Sequence, residues 1–329
     1  MVSIKDVAKH AGVAISTVSK VVNGYSGVSE ATKAKVQEAI RELNFVPNSI
    51  AAALSSKKAG RIALLLNMNM HTTAIDEMDM QYLSGGIHKA QEQHLDLVTV
   101  FFSMIQDKTV EEIIQRFKAQ NIEGIILYGL SKKDKVLWQL VESEEFKIVL
   151  VDVPYTAEHT SSVGVDHKQA QMDVAQRTML ENKGKKILYI AGDRNSYAAE
   201  AKLQGMEELV EKKGYQMLVR YGDFSERKAR NITFQYAKNK DVIVCGSDLM
   251  AIGAMRALIE MDIFRPVCGF DGITLMGYAG KQMNTVRQNF KRIASEAVKE
   301  LKRLLDGGEG QQIVLDYELV RIRYTDIIA

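Results

Sequence analysis

Cysteine is scarce in this chain, with only Cys245 and Cys268 among 329 residues. Both fall in apolar, strand-like stretches, which predicts buried thiols rather than a disulfide framework. No apolar run approaches the roughly 20 residues of a membrane span, and the N-terminus has no charged-then-apolar signal pattern. A cytoplasmic protein without membrane contact is therefore expected. Enzyme signatures are missing too: there is no Gly-x-x-x-x-Gly-Lys-Ser/Thr phosphate loop, no Gly-x-Ser-x-Gly elbow and no His-Glu-x-x-His zinc pair. The six histidines show no ligand spacing and are expected to be solvated, so neither metal nor cofactor is expected. No heptad repeat follows the last strand-like segment, which argues against a coiled-coil tail. What remains is an ordinary globular composition, 46% hydrophobic and 26% charged, in a chain long enough for two or three domains.

The first 45 residues carry the most specific pattern. Ile4, Val7, Ala8 and Ala11 fall at helical spacing, then Gly12 interrupts, then Val18, Val21 and Val22 form a second stripe. The second helix leaves Ile15, Ser16, Ser19, Lys20 and Asn23 on its outer face. Two short helices hinged at a glycine match the helix-turn-helix, whose second helix enters the major groove of DNA. A third helix is expected after Ser29, whose hydroxyl can cap it, with Val36, Ile40, Leu43 and Phe45 closing a small core. The competing reading is three helices packed for stability alone. Charge favours DNA: residues 1–58 hold eight basic and four acidic side chains, a net +4 within a chain of net +2.

Beyond Pro47 comes the Ala-rich stretch Asn48-Ser49-Ile50-Ala51-Ala52-Ala53-Leu54, helical by propensity but too short to stand alone in water. It is either a conditional helix or a plain linker. From Arg61 the pattern alternates. Apolar runs at 62–66, 97–102, 125–127 and 148–151, then 187–191, 217–221 and 242–245, are separated by helix-length segments. Such alternation predicts parallel sheets covered by helices. A helix near 290–305 and a last strand over 312–320 complete the body. Ligands of open α/β sheets sit beyond the carboxyl ends of the strands. Asp152, Ser247, Asp248 and Asp271 occupy such places and could clasp hydroxyl groups, while Phe224 offers a flat face for a ring. Each has an ordinary alternative. Asp248 is expected to cap the helix beginning at Leu249, and Phe224 could equally be core.

The head motifs carry a resemblance that extends over the full length. Asp6-Val7-Ala8, Ala11-Gly12-Val13, Thr17-Val18-Ser19, Val21-Val22-Asn23 and Glu42-Leu43-Asn44-Phe45-Val46-Pro47-Asn48 resemble the head of the lactose-repressor (LacI/GalR) family of bacterial transcription regulators. The resemblance implies an all-α helix-turn-helix head and an α/β periplasmic-binding-protein-like body of two parallel-sheet subdomains. It also implies a homodimer on double-stranded DNA, at a pseudo-palindromic operator, with a small sugar-like effector in the body. The domains expected are 1–46 for the head, 47–60 for hinge helix and linker, and 61–329 for effector binding and dimerisation. Within the last, the subdomains are expected at about 61–158 with 290–320 and 159–289 with 321–329. By the same resemblance Ile15, Ser16 and Lys20 face base edges, Thr17 and Ser19 face phosphates, and Asn23 meets the backbone. Lys5, Ser29, Asn48 and Ala51 join the DNA-binding set, and Leu54 is the apolar wedge of a hinge helix in the minor groove.

The effector set implied by the resemblance is Asp152, Lys202, Phe224, Ser247, Asp271 and Gln288. Several positions depart from the family pattern. Lys202 stands where Arg is usual, Lys20 likewise, Ser247-Asp248 replaces Asn-Asp, and Gly269-Phe270-Asp271-Gly272 keeps one acid of two. A flexible ammonium does not reproduce the two-pronged bonding of a guanidinium. Ala14 removes a helix cap that Ser16 could supply instead. These departures leave open a body controlled by a protein partner such as a phosphocarrier. An α/β enzyme would leave the head unexplained, and a structural DNA organiser would have no need of a cleft.

Overall fold

A computed structural model describes residues 2–22, 27–45, 60–67 and 76–323. The chain separates into two compact units, Met1–Gly60 and Arg61–Ala329. Asn23, Asn48, Ala51 and Leu54 lie outside the described residues, as does the expected hinge helix.

The head has three helices, α1 (Ile4–Ala11), α2 (Ile15–Val22) and α3 (Glu30–Glu42). At the start of α1, the Ser3 backbone N–H and hydroxyl both donate to Asp6, at 2.8 and 2.7 Å. These bonds hold the Asp6 carboxyl below its usual range. Gly12 ends α1 in the left-handed region at φ 63°, which turns the chain into α2. Ser29 caps α3 as expected, accepting from the Thr32 N–H at 3.3 Å. Val7, Val18 and Val36, one from each helix, are completely buried. Helices of eight residues are marginal alone, so this shared core is what keeps them folded, at roughly 1.5–3 kcal/mol per buried side chain. His10 of α1 and Glu42 of α3 add a 2.6 Å contact at the surface.

The body holds two six-stranded sheets. The first contains β1 (Arg61–Leu66), β2 (Asp96–Phe101), β3 (Ile122–Tyr128), β4 (Lys147–Val151), β5 (Thr160–Val165) and β11 (Gln312–Leu315). Their order is β2-β1-β3-β4-β5-β11, all parallel. One face packs α4 (Asp76–Glu92) and α11 (Phe290–Leu305); the other packs α5 (Val110–Ala119) and α6 (Lys135–Glu142). The second sheet contains β6 (Lys186–Ala191), β7 (Gln216–Tyr221), β8 (Val242–Cys245), β9 (Val267–Cys268), β10 (Asn284–Arg287) and β12 (Glu318–Arg321). Its order is β7-β6-β8-β9-β10-β12. Helices α7 (His167–Asn182) and α8 (Tyr197–Lys213) cover one face, α9 (Glu226–Tyr236) and α10 (Asp248–Glu260) the other. Cys245 and Cys268 are buried and free, and burial pushes the Cys268 thiol up to about 12. No helix among the described residues is long and apolar enough to cross a membrane.

Three expectations need correction. The expected strand 312–320 is two strands in different sheets: β11 runs parallel to β5, and β12 runs antiparallel to β10. The chain crosses between subdomains at Asp316-Tyr317, and Tyr317 is secured there by a 2.6 Å bond to Asp173. Strand β5, Thr-Ser-Ser-Val-Gly-Val, has no apolar run to betray it, yet it lies buried inside the first sheet. Its hydroxyls are satisfied internally, Ser161 by Glu300 at 2.6 Å and Ser162 by the Val153 carbonyl at 2.6 Å. The subdomain boundaries therefore move from 158/159 to just after Val165, and from 320/321 to the Asp316-Tyr317 crossing.

A methyl at Gly12 would meet nothing within 4 Å, so the glycine is needed for its torsion and not for space. Gly12→Ala is expected to cost the head about 1–2 kcal/mol, measured as a lower urea midpoint by circular dichroism. An unchanged midpoint would mean the turn tolerates a side chain.

Candidate functional site

On the head, α2 buries Val18 and turns Ile15, Ser16 and Lys20 outward, with Thr17 and Ser19 half-buried at the flanks. Ile15 is 45% exposed. Lys5 and Ser29 are also exposed, although the Ser29 hydroxyl is engaged as a cap. The helix starts directly after Ala14, whose carbonyl accepts from the Thr17 and Val18 N–H groups. Ser16 thus sits inside the first turn and is not the cap, contrary to one expectation.

In the body the strand-end rule gathers the expected residues. Asp152, Lys202, Phe224, Ser247, Asp271 and Gln288 all line one cavity of about 850 Å³ between the two sheets. Asp152 follows β4, Phe224 follows β7, Ser247 follows β8, Asp271 follows β9 and Gln288 follows β10. Positive φ values of 60°, 57° and 128° at Asp152, Phe224 and Asp271 turn the backbone sharply as it leaves the strands. Sequence reasoning missed Asn67, Tyr82, Tyr128 and His167, which also line the cavity. Asn67 and Tyr128 stand at the ends of β1 and β3, so the same rule could have found them. Tyr82 comes from the middle of α4 and had no signal. His167, expected to be solvated, is 7% exposed, with Nε2 2.8 Å from Asp152 Oδ1. That pair is close but lacks hydrogen-bond alignment.

Lys202 reaches the cavity wall but is held back. Its ammonium donates to the Gly246 carbonyl at 2.9 Å and lies 3.5 Å from the centroid of the Phe270 ring. Burial lowers its pKa, against the pull of Asp271 and Asp152. Ser247, not Asp248, caps α10, accepting from the Met250 N–H at 3.3 Å. Asp248 lies inside the helix and faces the other way. It accepts from Thr285 Oγ1 at 2.6 Å, Gly272 N at 2.7 Å and Ile273 N at 2.9 Å. Burial, with the neighbouring Asp271 charge, pushes the Asp248 carboxyl up to about 7. Burial raises Asp271 to about 6, moderated by Lys202. Gln288 Nε2 donates to Asp271 Oδ1 at 3.3 Å.

Contacts lace the two subdomains on both sides of the cavity. On one side Glu77 of α4 accepts from Thr274 N and Oγ1, the hydroxyl at 2.7 Å. On the other, the Lys132 N–H donates to the Asn195 carbonyl at 2.9 Å, and Lys133 pairs with Asp193 at 3.3 Å. The arrangement is a cleft bridged at both margins, with polar and aromatic side chains on its walls. Among the described residues no cluster is arranged to hold a metal.

A model of bacterial regulatory proteins of the lacI family matches residues 3–48, and a model of the periplasmic binding protein domain matches residues 68–309. The HTH-type transcriptional regulator MalR of Clostridium butyricum is 28% identical, covering 97% of each chain. The ribose operon repressor of Halalkalibacterium halodurans is 29% identical over 88% of this chain and 86% of its own. Among solved structures, the transcriptional regulator CelR in complex with cellobiose has a TM-score of 0.71 at 26% identity, covering 98% of this chain and 99% of its own. The Lac repressor bound to ONPG has a TM-score of 0.82 at 26% identity, covering 97% and 98%.

The acid pair sets a pH dependence. Both carboxyls are raised above the ordinary 3.8, so folding takes up protons between about pH 4 and 7, and stability falls as pH rises through that window. Carboxylates held low, such as Glu208 at about 2 beside Lys168 and Lys212, titrate below it. The ligand-free protein is expected to melt several degrees lower at pH 8 than at pH 5, with Asp271→Asn flattening the difference. An equal slope in the variant would remove Asp271 from the cause.

Proposed function

Because the chain belongs to the lacI family of bacterial regulatory proteins, with a periplasmic binding protein domain as its body, we propose that it is a repressor that binds a pseudo-palindromic operator as a homodimer, its affinity set by a sugar-like effector between the two subdomains. That it is a DNA-binding transcriptional regulator follows from the family. One observation carries the effector reading: six residues from separate segments of the chain, each at or facing a strand end, line one cavity.

The physical mechanism is a bias on cleft closure. A ligand touching both walls stabilises the closed arrangement by its differential affinity for it, and operator binding responds if it depends on the same equilibrium. Asp152 and Tyr82 belong to the first subdomain, Lys202, Asp271 and Gln288 to the second, so one ligand can engage both. The dimer reading draws support from α4, where Met80 and Ile87, seven residues apart on one helical face, are 60% and 42% exposed. In the head, Lys20 is the exposed cation best placed on α2 to reach a base edge, and Thr17 and Ser19 flank it for phosphates.

Lys20→Ala is expected to weaken operator binding by about 1–3 kcal/mol and relax preference at one base pair per half-site. Equal loss on operator and random DNA would make Lys20 a phosphate contact. For the body, operator binding measured by fluorescence anisotropy with maltose, cellobiose or ribose is expected to change with at least one sugar, and Asp271→Ala to abolish that change. Insensitivity to every sugar would return the reading to a body controlled by a protein partner.

A further inference from the structure

We propose that the cavity selects an uncharged, hydroxyl-rich ligand and excludes its phosphorylated form. This inference rests on the effector reading and narrows its chemistry. The wall carries six aspartates, Asp79, Asp134, Asp152, Asp193, Asp223 and Asp271, against two lysines, and no arginine. Both lysines are already engaged. Lys133 lies 3.3 Å from Asp193, and Lys202 donates to the Gly246 carbonyl with Asp271 and Asp152 as its nearest opposite charges. A phosphate entering the cavity would meet no uncommitted lysine or arginine, a single histidine, His167, that already lies 2.8 Å from Asp152, and a surplus of carboxylates.

Helix N-termini are the usual second source of anion binding, and three of those at this cavity begin with a serine. Each spends an N–H on its own serine. Ser196 accepts from Ala199 N at 3.2 Å, Ser225 from Lys228 N at 3.3 Å and Ser247 from Met250 N at 3.3 Å. All three serines lie on the wall.

The groups that lack partners ask for the opposite kind of ligand. Gln288 Oε1 and the Tyr128 hydroxyl are buried on the wall without a hydrogen-bond partner among the described residues, and so are Asp152 Oδ1 and the two ring nitrogens of His167, whose Nε2 lies 2.8 Å from that oxygen without alignment. Gln288 Oε1 and an ionised Asp152 only accept, so they need donors. A sugar hydroxyl donates and accepts at once, whereas a phosphate dianion has no proton to give. Tyr82, Phe224 and Phe290 supply flat surfaces for the apolar faces of a sugar ring.

The full-length protein titrated calorimetrically with glucose, ribose, maltose and cellobiose, and with glucose 6-phosphate, ribose 5-phosphate and maltose 6′-phosphate, tests this. An uncharged sugar is expected to bind, with its phosphorylated counterpart weaker by on the order of 100-fold or more, since like charges brought together are strongly disfavoured. Asp152→Asn is expected to narrow that ratio. A phosphorylated sugar binding as tightly as its parent, or tighter, overturns this inference and leaves the effector reading standing. A ratio unchanged in Asp152→Asn overturns its electrostatic origin. Silence from all seven compounds overturns the sugar reading and this inference with it.

Discussion

The buried carboxyl of Asp248 organises the cleft side of the second subdomain. One oxygen takes the Thr285 hydroxyl of β10 and the other takes the N–H groups of Gly272 and Ile273. Gly269 fits against it so closely that a Cβ there would lie 2.2 Å from the carboxyl oxygen. A buried acid of this kind is tolerated only when its oxygens are bonded, and here three donors meet that demand. In doing so they bend the 269–274 loop into the shape that presents Asp271 to the cavity at φ 128°. The next N–H along, that of Thr274, goes to Glu77 of the opposite subdomain. Three successive N–H groups are thus divided between carboxylates on the two sides of the cleft, so what happens at Asp271 is three residues from what holds the cleft shut.

This arrangement gives a physical route between ligand and closure without a long chain of intermediates. Asp271 is tied by Gln288 to the end of β10, and β10 pairs with β12, where the chain has just crossed from the first subdomain. A group bonding Asp271 therefore acts on a loop, a strand end and a crossover together. The head works on different terms. Among its described residues it has no sheet and no deep interior, and it depends on three buried valines and on caps at Ser3, Gly12 and Ser29.

Much of the fold was legible because burial leaves a rhythm. The strands at 62–66, 187–191 and 242–245 and the helices at 167–182 and 290–305 read clearly because parallel strands and amphipathic helices need continuous or periodic apolar residues. Strand β5 was illegible because three of its buried positions are Thr160, Ser161 and Ser162, with Ser161 satisfied by Glu300, far away in sequence, and Ser162 by the Val153 carbonyl. The break between β11 and β12 was illegible for a similar reason: nothing local separates Leu315 from Glu318 except which sheet each side pairs with. Of the candidate site, the residues at strand ends could be nominated from pattern, while Lys202 and Gln288 came from resemblance alone. Tyr82 and His167 could not be nominated, since a helix-borne tyrosine and a histidine beginning a helix look the same whether they face solvent or a cleft.

From the chain alone came the helix-turn-helix, the α/β body and the family of both, because these are written in spacings of 3.6 and in runs of apolar residues that survive without coordinates. Tertiary structure decided which polar groups meet. It turned Asp248 away from the cleft and Ser247 into the cap, drew Lys202 onto Gly246 and Phe270, and paired Glu77 with Thr274 across 197 residues of chain. Local propensity favours a helix or a strand whatever lies opposite it, but a hydrogen bond exists only when its partner arrives, and the arrival is set by how the sheets pack.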